Sequence, residues 1–167
     1  SFDSIRVDGR TPTAPLEEKS ADAVQYPTLI YSYDECLTFI GSNNTVHASN
    51  SMTLGSSWSI EFWMKPTTPN YGDPVGCSNS SDADRGVTFV TYSDGHMLFA
   101  AGNCTNSWGT GVNPGAGALS NGNWYHVVGT NTEGVLRLYL NGEQAGSTGS
   151  ASGSWTGYTL NIGDRRR

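Results

Sequence analysis

The feature that most constrains this chain is a hydrophobic alternation of period two that recurs in short runs and never lengthens into a helical period. In SWSIEFWMKP, residues 57–66, Ile60, Phe62 and Met64 alternate with Glu61, Trp63 and Lys65, and the run stops at Pro66. A period of two places successive side chains on opposite faces of a strand, and proline ends the run by removing a ladder donor. GVTFVTYSDGHMLFAAGNC reads as two strands joined at Asp94-Gly95, and GVLRLYLNGEQAGST as a hairpin turning at Asn141-Gly142. Both dipeptides supply the positive φ that tight hairpins require. WYHVVGTN, YTLNIG, TLIYSY and CLTFIG complete a set of about ten strands. With 21 glycines, 11% aromatic and only 14% charged residues, the composition fits an all-β, antiparallel fold of one domain.

The formal net charge is −6, and Arg165, Arg166 and Arg167 hold three of the nine basic residues, so the body is more acidic still. An acidic body repels phosphate backbones, which argues against nucleic acid as a partner. No apolar run approaches the ~18 residues of a membrane span. The tribasic stretch reads either as a solvated tail or as a processing site and electrostatic junction with a neighbouring acidic body. Cys77 and Cys104 flank the hairpin segment and are expected to pair as a disulfide, leaving Cys36 buried or bonded to a partner; no zinc-ligand spacing accompanies them. Asn43, Asn79 and Asn103 each begin an N-glycosylation acceptor pattern. Together with a disulfide they point to an extracellular protein whose leader has been removed.

Residues 1–9 open the chain as a strand, with Phe2, Ser4 and Arg6 on one face and Ile5 and Val7 on the other. Residues 10–27 form a polar, Pro-punctuated linker, where Thr13 could cap one helical turn over Pro15, Leu16, Glu17, Glu18 and Lys19. The main domain spans 28–167, with a long loop expected over 67–85.

The segments CLTFIGSNNTVHAS, SWSIEFWMKP, NGNWYHVVGTNTEGVLRLYLNGEQAGS and YTLNIGD, in this order, resemble the laminin G-like (concanavalin A-like) family over positions 36–164. The resemblance implies an antiparallel β-sandwich jelly roll. Such domains close with a strand of the type Phe-Asp-x-Ile-Arg-Val, found here as Phe2-Asp3-Ser4-Ile5-Arg6-Val7 at the opposite end of the chain. LNIGDRRR followed by SFDSIRVDGR reads as one uninterrupted ending, so residues 1–9 are a displaced closing strand. Either that strand folds back into its own sheet, as a circular permutation, or it is donated to a neighbouring copy. Donation from copy to copy satisfies two open sheet edges and propagates head to tail as a filament. The assembly strand is then Phe2, Ser4, Ile5, Arg6 and Val7, with Arg165–Arg167 at the junction.

The resemblance also frames the chemistry. Glycosidases of this fold carry paired carboxylates on one strand, whereas Glu61, Asp82, Asp84 and Asp94 are isolated, so no enzyme is expected. His126 stands where the family packs a structural histidine, and Phe62, Trp63, Trp124 and Tyr139 are expected in the sandwich core. Tyr71, Trp108 and Trp155 lie in Gly-rich stretches and are the candidates for stacking on glycans. Calcium is common in the family, and Asp73, Asp82 and Asp84 are the oxygen cluster that would hold it. The expected role is a non-catalytic structural or adhesive module assembling with copies of itself, or alternatively a monomeric lectin-like module.

Overall fold

The computed structural model describes residues 2–6, 37, 39, 45–67, 72–78, 86–102, 110–151 and 155–164, and for 2–6, 51, 78, 155–158 and 164 it describes the backbone. Val7, Cys36, Cys104, Asn43, Asn79, Asn103, Tyr71, Trp108, Asp82, Asp84, Arg165, Arg166, Arg167 and the expected helical turn lie outside the described residues.

Eleven strands are described: β1 (Phe2–Arg6), β2 (Val46–Leu54), β3 (Ser57–Pro66), β4 (Gly72–Ser78), β5 (Val87–Thr91), β6 (Met97–Ala101), β7 (Tyr125–Thr132), β8 (Val135–Leu140), β9 (Glu143–Gln144), β10 (Gly149–Ser150) and β11 (Trp155–Asp164). They form two sheets, ordered β1-β3-β7-β8-β10 (with β9 beside β8) and β2-β11-β4-β5-β6, and among the described residues neighbouring strands pair antiparallel. Among the described residues there is no helix.

Local chemistry accounts for the hairpins. Asn141 and Gly142 adopt φ of 53° and 87° between the paired residues Leu140 and Glu143, the two-residue turn that suits strand twist. Glu133 and Gly134 repeat this geometry between Thr132 and Val135. No Asn or Asp announces that second turn. Instead buried Asn131 supports it, accepting the Gly134 N–H on Oδ1 and donating from Nδ2 to Ser56 O.

The core fills the space between the sheets. Phe62 and Met64 on β3, Val127 on β7 and Leu136 and Leu138 on β8 meet Val75, Val87, Phe89, Met97 and Phe99 from the other sheet. Phe89 and Phe99 stack at 4.6 Å, and Phe62 meets Phe89 edge-on at 5.0 Å. Each fully buried side chain of this size contributes about 1.5–3 kcal/mol.

Two sequence expectations are corrected here. Residues 67–85 are not one loop, because β4 runs through them and sits in mid-sheet between β11 and β5. Its Gly72, Pro74 and Gly76 read as turn chemistry, but the β4–β5 register shifts between Gly72 and Val75, and a bulge there accommodates a proline that cannot donate. On β1, Phe2 and Ile5 are three apart and should face opposite sides. The ladder is irregular between them, so they stand opposite Pro66 and Met64, both buried residues of β3.

Candidate functional site

The outer face of the sheet containing β3, β7 and β8 carries the most distinctive surface chemistry. Register sets Glu61 beside Val128, Val128 beside Tyr139 and Tyr139 beside Gln144, while one step along β3 Trp63 pairs with His126. Trp63 is 44% exposed, and its indole lies on the His126 imidazole with ring centroids 5.0 Å apart and planes at 25°. His126 Nε2 is 3.5 Å from Glu61 Oε2; the two side chains are 30% and 71% exposed. The strand position of His126 is fixed by the neighbouring turn. Its N–H donates to Asn141 Oδ1, and the Asn141 N–H donates back to its carbonyl, both at 2.8 Å. Along β3, Trp63 is flanked at two-residue spacing by Glu61 and the half-buried Lys65. Across the sheet it is flanked by His126 on β7 and, in register, by Arg6 of β1.

This arrangement overturns part of the expected core. Phe62 is buried, but Trp63 and Trp124 (41% exposed) are on the surface, and half-buried Tyr139 shares a register row with outer-facing Glu61. The alternation of β3 outweighs the residue type: Trp63 is in phase with Glu61 and Lys65, so it points away from the core. His126, expected as a packed structural residue, is half-buried on the same face.

The other candidates fare differently. Trp155, expected in a loop, begins β11 opposite Leu54. Cys77 carries a free thiol, and Cys104, its expected partner, lies outside the described residues. Cys77 is buried on β4, its Sγ lies 3.6 Å from Met52 Sδ, and burial pushes the thiol up to about 11. Strand placement turns it into the core. Asp73 lies on β4 in register with Asp164, and among the described residues no three His, Cys, Asp or Glu side chains gather as a metal site. Asp94 is partnered within its own hairpin tip. Desolvation pulls its carboxyl upward, but hydrogen bonds from the His96 backbone N–H and imidazole outweigh it and hold the carboxyl below the usual range. His96 in turn stacks on Tyr92 at 4.0 Å. His47 is engaged by Thr45 and the Asn161 amide. β1 pairs with β3 of its own chain at the sheet edge.

Comparison with known proteins gives a consistent picture. Residues 40–167 match the model of a laminin G family described as the concanavalin A-like lectin/glucanases superfamily. Among solved structures, domains LG4-5 of the mouse laminin alpha1 chain superpose with a TM-score of 0.61 at 17% identity, covering 77% of this chain and 33% of that one. The native heptameric SAP-like pentraxin of Limulus polyphemus gives 0.57 at 20% identity, covering 73% and 58%. Sheep galectin-11 in complex with glycerol gives 0.50 at 12% identity, covering 74% and 91%. The chain thus spans about a third of the laminin structure it matches, and identities this low speak for the fold alone. No curated protein matches the chain in sequence.

Proposed function

The chain belongs to the laminin G-like part of the concanavalin A-like lectin/glucanase superfamily, and on that premise we propose that it is a non-catalytic extracellular recognition module, carbohydrate-binding and adhesive. The observation that carries this reading is the open outer face of the β1-β3-β7-β8-β10 sheet, where an exposed tryptophan is held in a fixed pose by its neighbours. A rigid aromatic at a surface provides contact area at low conformational cost, which suits binding. The test is saturable binding of the purified chain to a panel of immobilised glycans. Binding to none of them, or hydrolysis of any, overturns the reading.

The edge position of β1 favours a second reading, in which adhesion includes homotypic assembly. The β1–β3 ladder forms within one chain, and the same ladder made between chains would link copies head to tail. Native mass spectrometry over a range of concentrations tests it: a series of oligomers growing with concentration supports exchange of residues 2–8, and a monomer throughout excludes it.

A further inference from the structure

Two Asn-Gly dipeptides occur in the chain, Asn121-Gly122 and Asn141-Gly142, and the fold treats them differently. Both are exposed, and at neither glycine would an added Cβ meet an atom within 4 Å. The Gly122 N–H donates to the carbonyl of buried Pro66 at 2.7 Å, whereas the Gly142 N–H meets no acceptor among the described residues. The side chain of Asn141 is also engaged, since its Oδ1 accepts the His126 N–H at 2.8 Å. From this pairing of a free amide with a polarised side-chain carbonyl we infer that Asn141-Gly142 is a self-modification site, where the asparagine converts to aspartate and isoaspartate as the protein ages.

The only co-reactant is water. The Gly142 nitrogen gives its proton to a solvent base and attacks Asn141 Cγ, forming a C–N bond and a tetrahedral oxyanion on Oδ1. The bond from Cγ to Nδ2 then breaks, and Nδ2 takes up a proton and leaves as ammonia, closing a five-membered succinimide. Water opens either ring carbonyl to give aspartate or isoaspartate. The His126 N–H already sits on Oδ1, where the negative charge develops, and stabilises it there. The attack turns the Asn141–Gly142 peptide toward the side chain, and at this tip no packed neighbour opposes the motion. At Asn121 the same nitrogen must first give up its bond to Pro66. The products matter to the fold. Aspartate adds one negative charge to a chain at −6, and isoaspartate adds a main-chain methylene to a turn with just two residues between Leu140 and Glu143. Either change falls on the residue that holds His126, against which Trp63 stacks.

The experiment incubates the full chain, folded and in urea, at pH 7 and pH 9. Trypsin cuts after Arg137 and so puts the two dipeptides on separate peptides, in which tandem mass spectrometry locates the one-dalton gain of each conversion. In the folded chain Asn141 should convert several-fold faster than Asn121, and both should speed up at pH 9, where the glycine amide loses its proton more readily. In urea neither amide keeps a fixed partner, so the two rates should converge. Equal rates in the folded chain, Asn121 ahead of Asn141, or conversion of Asn141 in urea alone overturns the inference. A lead of Asn141 that persists unchanged in urea also overturns it, because the fold would then contribute nothing.

Discussion

Cys77 shows how far burial alone sets the chemistry of a residue. Its thiol is raised from 9.0 to about 11 because the thiolate would lose its water inside the sandwich. The folded chain therefore keeps a proton that the unfolded chain gives up near pH 9. Below that point the contribution to stability is fully present; it drains away as pH climbs from about 9 to about 11, by roughly 2–3 kcal/mol in total. Urea unfolding at a series of pH values should show this slope in the native chain and lose it in Cys77→Ala, whatever constant penalty the smaller side chain adds. A thiol reagent at pH 8 should leave Cys77 unmodified until denaturant is added. In sequence the segment around Cys77 reads as a loop, which does not announce a buried thiol. Pro74 and the two glycines beside it hide a strand, and a strand position is what buries the sulfur.

At the scale of elements, β7 approaches the facing sheet closely at Gly129. A Cβ added to Gly129 would lie 2.5 Å from Phe89 Cζ and 2.8 Å from Phe99 Cε2, and both rings are fully buried and stacked on each other. The glycine is required by that crossing, since neither ring has room to retreat. Gly129→Ala should cost about 1–3 kcal/mol by overpacking, read as a fall in thermal midpoint of several degrees with binding otherwise intact. The strands themselves were largely legible in sequence. Alternation gave β3 its two faces, and Asp94-Gly95 and Asn141-Gly142 marked two hairpins correctly. The turn at Glu133-Gly134 was not legible, because its support comes from the Asn131 side chain and from Ser56, which is distant in sequence. The bulge in β1 was also hidden. It moves Phe2 and Ile5 onto equivalent register positions only in the presence of β3.

For the whole molecule, the order of the strand motifs made the sandwich readable, and the family match over residues 40–167 agrees with it. The binding face was half readable. The alternation that places Trp63 outside was visible in SWSIEFWMKP, yet a tryptophan beside phenylalanine suggests core, and only pairing with β7 brings His126 alongside it. The sheet order has one more consequence, which concerns time. β11 lies between β2 and β4, so those two strands, made early, never pair with each other, and the ladders that join them through β11 wait until residues 155–164 have been synthesised. At translation rates of roughly 5–20 residues per second, the interval after β4 is of the order of 4–16 s. During it the β5–β6 and β7–β8 hairpins can already form, while β4 keeps one edge bare. The nascent chain therefore has, built into its topology, an interval in which β4 presents one unpaired edge.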